Sequence, residues 1–178
     1  SINYKIYDNK HNKGVTMNIN SNTKLIGLLG QPVSQSFSPS IHNYLSQKYK
    51  KNNIYMCFEI EKNNLQNAAL GIKTFNMKGC NVTIPYKVEI IPYLDKVEKN
   101  ALLIGAVNTI KNVNDELIGY NTDGIGFIKS LKDEGYSLKD KKVIILGAGG
   151  ACRSIAVELA NHEVSYIEIR NRSEKNAK

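Results

Sequence analysis

Four short stretches of the chain hold residue types that can bind or react. The first is Gly147-Ala148-Gly149-Gly150-Ala151. It follows a continuous apolar run, Val143 to Leu146, of the length and kind of a strand buried on both faces. It precedes Ala151, Cys152, Ile155, Ala156, Leu159 and Ala160, which share one helical stripe. A strand, a glycine turn and a helix in direct succession aim the helix N-terminus, with its unpaired N–H groups, at whatever sits on the turn. Phosphate is the natural occupant. The spacing Gly147-x-Gly149-x-x-Cys152 supplies two glycines of a dinucleotide-binding fingerprint, with a cysteine in place of the third. An ordinary tight strand-to-helix turn is the competing reading.

The end of the next strand, read over Val164 to Ile169, bears on the same question. A site for NAD usually carries an acidic residue there to hold the ribose 2′-hydroxyl. Here the turn is Arg170-Asn171-Arg172-Ser173. Arg172 and Ser173 suit a 2′-phosphate, the guanidinium through a charge-assisted fork, the hydroxyl as a donor. The cofactor expected is therefore NADP; a solvated basic turn is the alternative.

The other three stretches lie upstream. Gln31 to Pro39 holds Ser34, Ser36 and Ser38 just before a helix. Hydroxyls beside a helix N-terminus can bind a carboxylate, although Ser38 also suits an N-cap. Asn81-Val-Thr-Ile-Pro-Tyr-Lys87 ends a strand, and Lys87 falls near the start of a helix expected to carry Ile90, Leu94, Val97 and Ala101. A cation there meets the wrong end of the helix dipole. It either turns to solvent or is held for a purpose. Asn121, Thr122 and Asp123 open a further helix and suit capping roles.

These stretches need elements to carry them. Strands are expected over Lys24 to Gly30, Ile54 to Ile60 and Met77 to Ile84, with a strand pair at Gly105 to Ile110 and Glu116 to Gly119. Helices follow with stripes at Ile41, Leu45 and Tyr49, at Leu65, Ala68, Ala69 and Ile72, and at Ile125, Ile128 and Leu131. Polar groups thus recur at strand-to-helix junctions, which in α/β folds converge on a crevice. The fold expected is an N-terminal α/β substrate domain followed by the first part of a Rossmann-type dinucleotide-binding domain. The divisions read are a poorly ordered arm over 1–23, with an edge strand possible at Ile2 to Tyr7, a substrate domain over 24–120, a connecting helix and hinge over 121–140, and an incomplete dinucleotide domain over 141–178.

Bulk properties exclude several classes. The 178 residues are 42% hydrophobic and 22% charged, which are globular values. No apolar run approaches a membrane span and no signal-peptide pattern opens the chain. Cys57, Cys80 and Cys152 are too scattered for a disulfide framework or a zinc site, so no metal is expected and a reducing cytoplasm is. The net charge of +8 is dispersed, with Lys supplying 21 of the 24 basic residues. That argues against nucleic acid and for a small anionic ligand. Oligomeric state stays open, a homodimer included.

Taken in order, Gly30-x-Pro-x-x-x-Ser-x-Ser-Pro-x-x-His-Asn43, Asn81-Val-Thr-x-Pro-x-Lys87, Gly105-Ala-Val-Asn-Thr109, Asn121-Thr-Asp-Gly-x-Gly126, Gly147-Ala-Gly-Gly-Ala151 and Asn171-Arg-Ser173 resemble the shikimate dehydrogenase family. The resemblance covers roughly residues 24 to 178. It implies reversible NADPH-dependent reduction of 3-dehydroshikimate to shikimate, on the route to chorismate and the aromatic amino acids. It implies that Ser36 and Ser38 hold the substrate carboxylate, that Thr83, Asn108 and Asp123 bind ring hydroxyls, and that Lys87 and Asp123 form the catalytic pair. Gly147, Ala148, Gly149, Gly150 and Ala151 would cradle the pyrophosphate; Asn171, Arg172 and Ser173 would hold the 2′-phosphate. Ketone reduction fits these types, because the alkoxide that forms needs a proton donor, and an ammonium can supply it. Departures are a family pattern that continues past residue 178, and Asn176 where a further basic residue is frequent. A non-catalytic shikimate- or quinate-binding relative, or a fragment, is the alternative.

Overall fold

A computed structural model of the protein describes residues 19–172. The expected edge strand at Ile2 to Tyr7, and Ser173, lie outside the described residues. The larger of two sheets has strands β1 (Lys24–Gly30), β2 (Asn53–Glu59), β3 (Gly79–Val82), β4 (Lys96–Val97), β5 (Thr109–Val113) and β6 (Glu116–Tyr120), in the order β2-β1-β3-β5-β6-β4. β1 runs parallel to β2 and β3, whereas β5 is antiparallel to both β3 and β6. The smaller sheet pairs β7 (Lys142–Leu146) with β8 (Tyr166–Arg170) in parallel.

Consecutive residues of a strand face opposite sides, and β1 shows it. Leu29 packs into the main core with Leu65, Ala69 and Ile72 of α2 (Leu65–Thr74) and with Val82, Tyr86 and Ile110. Leu28 packs on the other side with Val33 and Tyr55. That second side is covered by α1 (Ser38–Lys48) in an unexpected way. Its stripe of Ile41, Leu45 and Tyr49 is exposed, and Ser46, Asn43 and His42 face the sheet instead. β2 is an edge strand, so its outer backbone groups need partners. Asn43 supplies them, accepting from Tyr55 N–H at 2.8 Å and donating to Tyr55 C=O at 3.0 Å. Edge satisfaction, rather than apolar area, sets the helix's rotation.

Between β3 and β5 the single long helix expected is absent. Residues 84–90 form successive turns, Ile91–Tyr93 a short 3₁₀ turn, and only Lys99–Ile104 (α3) is α-helical. Pro92 lacks an N–H and blocks a continuous helix. Asp95 leaves the helical path altogether, accepting from Leu117 N–H at 2.7 Å and from Lys73. β3 is shorter than the expected Met77 to Ile84, and β8 starts two residues later than expected.

In the second unit, α5 (Gly150–Asn161) and α4 (Asp123–Asp133) sandwich a small core with β7 and β8, built on Ile128, Leu138, Leu159, Ile145 and Ile167. β7 was expected to be buried on both faces. Val143 and Ile145 are half-buried, but Ile144 and Leu146 are 51% and 80% exposed. Among the described residues, only one face of β7 is covered. No described helix is long and apolar enough to cross a membrane.

Candidate active site

The sheet brings the polar stretches to one end. β1 and β3 are parallel neighbours, so the loops leaving them run side by side, tied by Gln31 N–H to Ile84 C=O at 3.0 Å and Thr83 N–H to Leu29 C=O at 2.9 Å. β5, antiparallel to β3, leaves that end, and β6, antiparallel to β5, arrives at it. Val82 N–H donates to Asn108 C=O at 2.8 Å, Val107 N–H to Lys87 C=O at 2.7 Å, and Asn108 N–H to Tyr120 C=O at 3.0 Å. Segments far apart in sequence are thereby clamped together by backbone bonds alone.

On this frame Lys87 Nζ lies 2.6 Å from Asp123 Oδ2. Asn108, 8% exposed, orients the carboxylate: its Nδ2 donates to Asp123 Oδ1 at 2.7 Å and to Thr122 Oγ1 at 3.0 Å, and its Oδ1 accepts from Thr122 N–H at 3.0 Å. Buried Asn121 pins the same corner, donating to Ala106 C=O and accepting from Asp123 N–H at 3.1 Å. Thr122 is the residue before α4, and it makes no side-chain cap. Asp123 is the first helical residue, favourably placed for an anion at the positive end of the helix. Lys87 stands in the turns after β3, so the opposing helix dipole expected from the sequence is not there. Its ammonium and the Asp123 carboxylate are both partly exposed, at 20% and 28%, within reach of a ligand.

Ser36 and Ser38 lie half-buried where β1's loop meets α1. Ser38 is inside the helix rather than its cap; the capping position is Phe37. Ser38 N–H donates to Ser36 Oγ at 3.2 Å. Thr83 packs its methyl against Gly30, on the same loop pair.

The glycine turn faces this cluster. Gly147 has φ +104°, a conformation that favours glycine, and its N–H donates to Arg170 C=O at 2.8 Å. Among the described residues nothing lies within 4 Å of where a side chain would start at Gly147 or Gly149. The turn is therefore open for a phosphate above the 12-residue helix α5. Asn171 Oδ1 reaches it, accepting from Ala148 N–H at 3.4 Å, and Arg172 beside it is exposed. A cleft of about 370 Å³ separates the two halves, with Pro85, Lys87 and Val88 on one wall and Ala148, Gly149 and Arg153 on the other. These residues fit a dinucleotide whose phosphates rest on the turn and whose far end reaches Lys87. Gly150 and Ala151 begin α5 at the same place.

Several residues here escape a reading of the sequence. Arg153 enters the cleft from α5. Glu158, 6% exposed, accepts from Asn100 Nδ2 at 2.6 Å and joins α5 to α3. A carboxylate one residue before Leu159, inside the buried stripe, is the available signal. Gly124, next to Asp123, has α5 directly against it: an added Cβ would stand 2.3 Å from Ser154 C=O.

Fold and site together define an α/β protein in which a lysine–aspartate pair at a sheet end looks across a cleft at a phosphate-type turn. Residues 28–110 match the family model of the shikimate dehydrogenase substrate binding domain. The chain is 50% identical over 160 residues to the shikimate dehydrogenase (NADP(+)) of Methanococcus vannielii, covering 90% of this chain and 56% of that protein. It is 48% identical over 155 residues to the enzyme of the same name from Alkaliphilus oremlandii, covering 87% and 54%. A crystal structure of a shikimate dehydrogenase in complex with NADP+ matches with a TM-score of 0.89 and 46% identity, over 93% of this chain and 57% of that one. By sequence and by fold the chain is similar to shikimate dehydrogenases, and it spans about half the length of the curated relatives it matches.

Proposed function

We propose that this chain carries the substrate half and the phosphate turn of an NADP-dependent shikimate dehydrogenase, which reversibly reduces 3-dehydroshikimate to shikimate. The observation that carries the reading is the Lys87–Asp123 pair at 2.6 Å, oriented by Asn108 and set across a cleft from Gly149. In this reading residues 24–120 form the substrate unit, 121–140 the connection, and residues from 141 the dinucleotide unit. Ser36 and Ser38 hold the carboxylate, and Thr83, Asn108 and Asp123 hold ring hydroxyls. Gly147 to Ala151 receive the pyrophosphate, and Asn171, Arg172 and Ser173 the 2′-phosphate. NADPH, when bound, supplies the hydride.

The chain's own residues supply position and a proton. The Lys87 ammonium donates a hydrogen bond to the ketone oxygen and gives up its proton as the alkoxide forms; in the reverse direction the amine takes the proton back. Asp123 keeps the ammonium aimed into the cleft, and Asn108 keeps Asp123 from turning away. The relatives' biosynthetic role, together with three unpaired cysteines, supports a cytoplasmic setting.

The test mixes shikimate and NADP with this chain and with its Lys87→Ala variant, and follows reduced nicotinamide. Turnover in the first and none in the second supports the reading. Absence of turnover in both, with no calorimetric heat of shikimate binding, would sink it. Shikimate binding without turnover would restrict the function to the substrate half.

A further inference from the structure

Tyr55 has no place in the roles assigned so far, yet few side chains in the molecule are held as firmly. It is 2% exposed on edge strand β2. Asn43 clamps both its backbone groups, and the His42 ring stacks on its own at 4.3 Å with an interplanar angle of 4°. Its hydroxyl donates to Asn81 Oδ1 at 2.8 Å. A buried phenol held on its backbone, its ring face and its hydroxyl has a single orientation.

From that hydroxyl a chain of hydrogen bonds crosses the sheet, every donor pointing the same way. Asn81 Nδ2 donates to Thr109 Oγ1 at 3.2 Å. Thr109 Oγ1 donates to Asn108 Oδ1 at 2.9 Å. Asn108 Nδ2 donates to Asp123 Oδ1 at 2.7 Å, and the other carboxylate oxygen takes Lys87. Each direction forces the next. With the phenol as donor, Asn81 must turn its oxygen toward Tyr55 and its NH₂ toward Thr109. Thr109, having accepted, directs its own hydrogen at Asn108 Oδ1, which leaves the Asn108 NH₂ facing Asp123. Aligned bonds of this kind polarise and strengthen one another. Burial pushes the phenol up to about 12, so it stays a donor throughout the physiological range.

We propose that Tyr55 is a positioning residue for the Lys87–Asp123 pair, acting through Asn81, Thr109 and Asn108. The relay stands on geometry alone; its use in substrate binding rests on the proposed function.

Tyr55→Phe keeps the ring, the stack and the backbone clamp and removes only the donor. The first readout needs no ligand: the side-chain amide protons of Asn108, followed by NMR hydrogen exchange. The proposal expects them to shift and to exchange about fivefold to tenfold faster in Tyr55→Phe, the loss of roughly one hydrogen bond. Asn81→Ala, which cuts the chain one link later with the phenol intact, is expected to do the same. Unchanged Asn108 protons in both variants would overturn the relay. The second readout is shikimate affinity by calorimetry in a double-mutant cycle. Tyr55→Phe weakens binding about fivefold to tenfold on the native background, and has little further effect once Asp123→Ala has removed the end of the chain. Equal weakening on both backgrounds would reduce Tyr55 to packing and refute the link. If native chain binds no shikimate, the proposed function fails, and the Asn108 protons alone still decide the relay.

Discussion

Gly124→Ala is the substitution whose outcome the structure constrains most tightly. Gly124 is buried in the first turn of α4 with α5 lying across it. A methyl there would stand 2.3 Å from Ser154 C=O, 2.8 Å from the Ser154 carbonyl carbon and 2.6 Å from Glu158 Cγ. Two of these three are backbone, so no rotamer change relieves the clash. α5 must move by roughly 0.7 Å or more merely to reach the 3.0 Å floor of real contacts, and overpacking of this kind costs about 1–3 kcal/mol. Against that stands the helix preference for alanine over glycine, at most about 1 kcal/mol. Gly126, two residues on in the same helix, has nothing within 4 Å among the described residues and isolates that second effect. Gly126→Ala is therefore expected to hold or raise stability, and Gly124→Ala to fall about 1–3 kcal/mol below it. For a chain of this size the gap between the two melting temperatures is roughly 2–12 °C. Thermal and urea melts of both variants measure it. A Gly124→Ala protein that melts at or above Gly126→Ala would refute the close docking of α5 on α4, and with it the placement of Gly149 opposite Lys87.

Two further outcomes follow from buried titratable groups. Burial holds His42 below its ordinary value of 6.5, so the unfolded chain takes up a proton there before the folded one does. Stability from this group is complete above about pH 6.5 and declines as the pH falls toward the folded value. Urea midpoints should therefore drop less between about pH 7 and pH 5 in His42→Phe, which keeps an aromatic ring on Tyr55, than in the native chain; equal drops would refute the assignment. The Cys80 thiol is buried and pushed up to about 12, and burial also raises Cys152, whereas Cys57 is half-buried with no disulfide. Iodoacetamide under native conditions is expected to label Cys57 first, with Cys80 and Cys152 reacting only on unfolding. Early labelling of Cys80, read by mass spectrometry, would contradict its burial.

What the sequence discloses, and what it hides, divides along a physical line. The glycine turn is legible because its determinants are local: a change of apolar period from strand to helix, with glycine where φ must be positive, lies within a dozen residues. The ends of β1 and β6 are legible to within a residue for the same reason, whereas β3 stops at Val82, two residues short of the expected Ile84. The failures come where a distant partner overrides local pattern. Ile41, Leu45 and Tyr49 form a correct helical stripe, yet the unsatisfied edge of β2 turns Asn43 and His42 inward instead. Leu94 and Val97 continue a helical period that Pro92 interrupts and that Asp95, bonded to Leu117 on a strand 22 residues later, abandons. The site shows the same division. Lys87 on its own reads as a solvated lysine, because nothing in its neighbourhood of sequence announces a carboxylate 36 residues away. Tyr55 and Asn100 carry no local signal of function, and Glu158 only that of a carboxylate beside Leu159, since each acts through a partner supplied by another element. The first layer of this site can therefore be read from motifs, whereas the residues that orient it are visible only once the sheet has brought Asn81, Asn108 and Asp123 within hydrogen-bonding reach of one another.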